Sequence, residues 1–470
     1  MDKFVEKLIS VKPSERQIAW QALGFTAFLH YGINTFTNSE WGSGSESPES
    51  YNPTNLDTDQ WCEALKAADI KACIITAKHH DGFCLFDTAY TKHSVMYSPK
   101  PVDVVASLSA SCAKYGLKMG VYLSPWDRNS PLYGSGAAYD DYFCAQLEEL
   151  TTKYGPLYSL WFDGACGEGP NGKRQVYDWS RYFGIIRKNQ PGAAISICGP
   201  DVRWIGNEGG HTRHSEWSVV HDRMRRSETT AALSQQSDDS AFREQRISSE
   251  DKDLGSRRRL EKELAIGGDL CWYPAEVDVS IRPGWFYHPE ENDKLRSVEN
   301  LLDIYEKSVG GNALLLLNIP PDTSGQINSV DVKRIEELGE RIRLIYGSNL
   351  FEQAGITADG VIRQDLLSDN SDYWMGCSEK GVIDISLKTP EALTHIVLCE
   401  EISQSQRIEA FDVSAEIDGA WVRIYEGTTV GFKKICRFDP VRAANWRIDI
   451  TESRSRPTLR FISGHRDGVV

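Results

Sequence analysis

Histidines, tryptophans and carboxylates recur in this sequence at one kind of position, directly after short apolar runs. His30 follows the run 24–29, His79-His80 follows 71–77, Trp126-Asp127 follows 117–123, and Asp163 follows 157–162. Glu40-Trp41, Glu208, Glu216-Trp217, Trp272 and Trp285 complete the set. Such side chains suit a neutral polyol. Histidine and glutamate hydrogen-bond ring hydroxyls, tryptophan covers an apolar sugar face, and a pair of carboxyls can serve as nucleophile and general acid. The other chemistry open to them is metal ligation, with His30, His79, His80 and Asp163 serving a barrel metallohydrolase. Against it, neighbouring residues of a strand point to opposite faces, so His79 and His80 would not converge on one ion from a strand. Asp163 also has a plainer use, because Asp-Gly is ordinary turn and helix-cap chemistry.

A parallel sheet would bring these groups to one edge. The runs 24–32, 71–77, 117–123, 157–162, 193–198 and 313–319 read as buried strands, and helical spacing of apolar residues fills the intervals between them. The helix-then-strand unit returns roughly every forty residues, the period of a β/α barrel or a doubly wound sheet. No glycine-rich dinucleotide loop follows the first strand, which favours the barrel. The expected fold class is therefore α/β: a (β/α)8-like, TIM-type barrel over residues 1–346, its chemistry at the carboxyl ends of the strands. Residues 221–264 are poor in apolar side chains and read as an exposed insertion, with Arg223, Arg225, Arg226 and Arg257 to Arg259 forming a solvated face or an anion site. From 347 to 470 the pattern changes to short alternating runs, as in an all-β sandwich.

The formal net charge of −15 argues against a nucleic acid partner, which needs clustered lysine and arginine. No apolar stretch is long enough to cross a membrane as a helix, and no signal-peptide core begins the chain. Eleven cysteines without a Cys-x-x-Cys pair read as reduced thiols. Together these imply a cytoplasmic protein, or a periplasmic or secreted one if a leader has been removed.

The motifs His30-Tyr31-Gly32, Glu40-Trp41, Lys78-His79-His80-Asp81-Gly82-Phe83 and Leu160-Trp161-Phe162-Asp163-Gly164 resemble those of the α-L-fucosidases of glycoside hydrolase family 29, over nearly the whole chain. The segments Arg203 to Glu208, Ser215 to Ser218, Asp253 to Arg257 and Trp272 to Glu276 resemble the subfamily selective for α-1,3/1,4-linked fucose on Lewis-type glycans. The resemblance implies an exo-acting, retaining enzyme acting on a fucosylated oligosaccharide without metal or organic cofactor. Asp163 would be the nucleophile and Glu208 the acid/base, with Glu216 as its competitor. His30, Glu40, Trp41, His79, His80 and Tyr122 would hold fucose hydroxyls, Trp285 would meet the C6 methyl, and Glu216, Trp272, Glu276 and Arg282 would be further substrate contacts. It also implies a galactose-binding-like jelly roll for the C-terminal sandwich. A non-catalytic glycan-binding protein is the remaining alternative, and oligomeric state is not legible.

Overall fold

The computed structural model describes residues 2–228, 230, 252–370 and 372–468. In chain order the first strands are β1 (Phe25–Leu29), β2 (Ala72–Lys78), β3 (Lys118–Leu123), β4 (Leu157–Phe162), β5 (Ala194–Ile197), β6 (Arg203–Trp204), β7 (Val219–His221), β8 (Leu270–Trp272), β9 (Ala275–Ser280) and β10 (Ala313–Asn318). Eight of these form one sheet in the order β5-β4-β3-β2-β1-β10-β9-β6, with parallel pairing throughout. A parallel bridge between Ser196 and Val202 brings the two ends of that order together, so the sheet is a nearly closed barrel.

Strands buried on both faces need apolar residues at every position, which is why they read as unbroken runs. The period of two then sorts them into two layers. Phe28, Ile74, Tyr122, Trp161, Leu314 and Leu316 pack together in one cluster, and their neighbours Ala27, Ile75, Val121, Leu160 and Leu317 pack in another with helix residues such as Trp61, Leu108 and Leu147. Aspartates start the surrounding helices: Asp57, Asp103 and Asp178 each accept a backbone N–H of the first turn.

Two elements differ from the sequence reading. Residues 203–208 were assigned no strand, but Arg203–Trp204 is a barrel strand, held by Arg203 N on Pro274 O at 3.0 Å and Ile205 N on Glu276 O at 2.9 Å. Two residues carry no periodicity, so nothing in the pattern announces them. The aromatic-rich segment 270–280 is likewise divided: β8 pairs antiparallel with β7 outside the barrel, Pro274 follows without an N–H to donate, and β9 enters the barrel.

The C-terminal part is all-β. Its main sheet is antiparallel, built around the long strands Gly381–Cys399 and Lys434–Ser453, and it buries Trp374, Phe411 and Trp446 in a core of its own. This domain rests on the side of the barrel. Glu306 receives His395 at 3.2 Å and Arg437 at 2.9 Å, and the Asn312 side chain bridges Glu216 O and Phe432 N. Much of the expected insertion, residues 229 and 231–251, lies outside the described residues. Where it is described, Arg223 and Arg259 both pair with Glu263, and Arg257 pairs with Glu409 at 2.6 Å, so these basic side chains are spent within the protein. All eleven cysteines are free thiols, and no helix among the described residues is long and apolar enough to cross a membrane.

The loop after β2 is fixed from beneath. Lys78 Nζ meets Asp127 Oδ2 at 3.0 Å with both groups buried, and Asp127 Oδ1 accepts the amides of Asn129 and Ser130. A buried pair with its remaining lone pairs satisfied specifies geometry as well as charge. Gly82 closes this turn at φ +80°, and a Cβ there would stand 2.4 Å from Asp127 Oδ1. Gly82→Ala is expected to lower unfolding free energy by about 1–3 kcal/mol through left-handed strain and overpacking, seen as a lower denaturant midpoint. An unchanged midpoint would mean that the turn relaxes freely.

Candidate active site

A cavity of about 300 Å³ opens where the barrel strands end, and its polar wall is drawn from many of them. His30 follows β1, His79 and His80 follow β2, Asp163 follows β4, Glu208 lies four residues beyond β6, and Asp278 is in the last turn of pleat of β9. Glu40, Trp41 and Trp285 complete the rim from loops. Catalytic groups taken from the ends of several strands are the signature of a barrel site.

The three histidines are buried at the cavity and favoured as neutral imidazoles. Burial pushes His30 and His80 down to about 4, and pushes His79 well below its ordinary value. Their tautomers follow from their partners. Asn318 spends its amide N–H groups on Ser280 Oγ and Trp285 O, so its Oδ1 accepts His30 Nδ1–H at 2.8 Å. Ser124 gives its hydroxyl proton to Trp126 O, so its Oγ accepts His80 Nδ1–H at 2.7 Å. The Nε2 lone pairs of His30 and His80 are left to accept a hydroxyl proton. His79 Nδ1 is buried without a hydrogen-bond partner.

Asp163 is supported from behind. Tyr122, wholly buried and stacked on Trp161, donates its hydroxyl to Oδ2 at 2.9 Å, the Ala165 amide donates to Oδ1 at 2.8 Å, and His80 Nε2 stands 3.6 Å from Oδ2. The phenol and the amide, as donors, stabilise a carboxylate. Glu208 has the opposite surroundings. Among the described residues only the Trp285 indole donates to it, at 3.2 Å, while burial first and then the charge of Asp278, with smaller pushes from Asp163 and Glu40, raise its pKa well above the usual carboxyl range. Asn207 ties the turn that aims it, accepting the Gly209 and His211 amides at 3.1 Å, and Gly206 adopts φ +105°.

His79, His80 and Asp163 also lie within 4.8 Å of one another by one ligand atom each, a spacing that would admit an ion. Comparison with known proteins decides between the uses. The model for α-L-fucosidase matches residues 29–345. The chain belongs to the α-L-fucosidase family, glycoside hydrolase family 29. It is 36% identical to Alpha-L-fucosidase 1 of Arabidopsis thaliana over 475 residues, covering 97% of this chain and 87% of that one. The solved structure of SpGH29 superposes with a TM-score of 0.84 at 33% identity, covering 97% of this chain and 98% of its own. A GH29 fucosidase of Ruminococcus gnavus in complex with fucose superposes with a TM-score of 0.81 at 28% identity, covering 97% and 95%.

In this fucosidase several expected substrate contacts stand elsewhere. Glu216 is buried between Arg203 and Arg213 and does not line the cavity. Trp272 is on β8, packed with Leu8 and donating to Gln21 Oε1 at 3.0 Å. Arg282 is wholly buried, forked onto Asp331 at 3.0 and 2.6 Å and lying over the Tyr287 ring. Glu276 faces the barrel interior one pleat below the cavity, taking the Trp161 indole at 2.7 Å, and burial raises it to about 8. Tyr122 reaches the site through Asp163 rather than by lining it. Conversely, Trp204, His288 and Asn318 were not chosen from the sequence, while Asp278, expected with Glu276 as a contact for a neighbouring galactose, does line the cavity. Alternation in Glu276-Val277-Asp278 was the available signal: it sets both acids on one face, with Asp278 nearer the mouth.

Arg282 thus has a structural task. Arg282→Met should leave Asp331 buried and unpaired and cost about 3–5 kcal/mol of stability, measurable by denaturant unfolding. A stable variant with a raised KM would instead restore the substrate contact.

Proposed function

We propose that this fucosidase is an exo-acting, retaining enzyme that removes α-1,3/1,4-linked L-fucose from branched Lewis-type oligosaccharides. The observation that carries the mechanism is the contrast between two carboxyls in one cavity. Asp163 receives two hydrogen bonds that favour its charge, whereas Glu208 is desolvated among acids, which favours its protonated form. A pair of carboxyls with separated pKa values is the arrangement that divides nucleophile from acid.

In the first step an Asp163 oxygen bonds to the anomeric carbon as the bond to the leaving oxygen breaks, and Glu208 delivers its proton to that oxygen. In the second, Glu208 takes a proton from water as the water oxygen displaces Asp163. The two inversions retain configuration. Neutral His30 and His80 accept sugar hydroxyls while the half-buried Trp285 offers an apolar face. No metal or organic cofactor enters either step. The Ruminococcus gnavus relative holds fucose, which is the sugar proposed for this cavity. Linkage preference rests on the likeness of Arg203 to Glu208 and of the 215–218 and 253–257 segments to the selective subfamily. It is tested by release of fucose from a Lewis trisaccharide against 2′-fucosyllactose, with the trisaccharide expected to be cleaved and the other left largely intact.

Asp163→Gly should lose turnover on the order of a thousandfold or more while the protein melts as before. Activity close to wild type would remove Asp163 from the mechanism. Glu208→Ala should cost on the order of 10²–10⁴ in kcat on a glycan, and far less on an aryl fucoside whose leaving group needs no proton. Equal losses on the two substrates would assign the proton to another group.

A further inference from the structure

His288 has no role in the steps above, and its hydrogen bonds describe a charged side chain. Its Nε2 lies 2.6 Å from Glu40 Oε1 and its Nδ1 lies 2.6 Å from Asn38 Oδ1. The amide of Asn38 is oriented by its other end, since Nδ2 donates to Glu290 Oε1 at 3.2 Å. Both ring nitrogens therefore face acceptors, and only an imidazolium can donate from both.

The contact continues inward. The Glu40 carboxylate also accepts the backbone N–H of Trp285 at 2.8 Å and of Phe286 at 3.1 Å. Gly284 fits against this group because it lacks a side chain: a Cβ there would stand 2.4 Å from Glu40 Oε1 and 2.9 Å from His288 Cδ2. Trp285 is further held at its carbonyl by Asn318 Nδ2 at 2.7 Å, and its indole is the donor on Glu208. Glu40, expected as a ligand for fucose, is thus committed first to the loop that carries Trp285.

We propose that His288 is a positioning residue, a resident imidazolium that fastens Glu40 to the 284–288 loop and so sets the Trp285 indole on the acid Glu208. The proposal rests on the reading of Glu208 as the acid. The groups facing His288 agree with a cation: Glu40 from the first loop and Glu290 and Glu291 from its own segment, against Arg282, whose guanidinium lies on the far side at the His288 carbonyl. The hydrogen bond to Glu40 is also the largest influence holding the imidazole above its ordinary pKa. With the folded pKa raised, the fastening is complete below about 6.5, the free-histidine value, and is lost as pH rises through the raised value.

The test uses the full chain with His288→Ala and His288→Gln. Glutamine retains one donor toward Glu40 and no charge. His288→Ala is expected to lower kcat/KM on a Lewis trisaccharide by about ten- to a hundredfold, with a much smaller loss on an aryl fucoside that needs no proton. His288→Gln should recover most of that activity at neutral pH and lack the decline that wild type shows as His288 deprotonates. Nitrogen NMR of the wild-type protein should show both His288 ring nitrogens protonated at neutral pH, a readout that stands even if the alanine variant does not fold. Equal losses on the two substrates, a glutamine variant no better than alanine, or a singly protonated ring would overturn the proposal. A Glu208→Ala variant that loses both substrates equally would overturn the acid assignment instead, with the NMR result still standing on its own.

Discussion

A carboxyl held by hydrogen-bond donors and a carboxyl desolvated among acids share one small cavity in this fucosidase, and the difference between their surroundings is the constraint that the site is built around. Water would make the two nearly alike. Here Asp163 is given a phenol and an amide, and Glu208 is given one indole and the field of neighbouring acids. Desolvation is the larger influence on Glu208, so anything that admits bulk water beside it would erase the distinction. Trp285 does two things at once, covering Glu208 and supplying a donor to it.

The barrel makes that contrast possible by holding every participant on a rigid strand end. β3 and β4 are neighbours, so Tyr122 reaches Asp163, and the Asn318 at the end of β10 reaches back to His30 after β1. Beneath this layer the barrel interior is filled by aromatic and aliphatic side chains, with the Trp161 to Glu276 bond as a buried polar tie. The C-terminal β domain contributes no residue to the cavity wall among the described residues. It buries polar groups of the barrel's outer face instead, through Glu306 and Asn312.

Much of this could be read from the residues in order. A strand that must be buried on both faces has to be apolar, so a histidine or aspartate at its end stands out; His30, His79, His80 and Asp163 were legible for that reason. Glu216, Trp272 and Arg282 carried the same outward sign, a charged or aromatic residue near a strand, and yet face away from the cavity. Their partners explain why the sign failed. Trp272 answers Gln21 from the start of the chain and Arg282 answers Asp331 from the helix Ser329–Tyr346, both far off in sequence, while the Glu216 carboxylate is taken up by Arg203 and Arg213. Long-range partners leave no local pattern. β6 escaped for a different reason, since its two residues are defined by what they pair with and not by any repeat of their own.

The bond between Asp163 and fucose can be sought directly. A fucosyl fluoride bearing fluorine at C2 slows both steps but the second more, so the enzyme should stall as a covalent ester that peptide mass spectrometry can locate. The label is expected on Asp163, within the peptide that carries Trp161-Phe162-Asp163-Gly164. A label on any other residue, or full turnover by inversion with no labelled peptide, would contradict it.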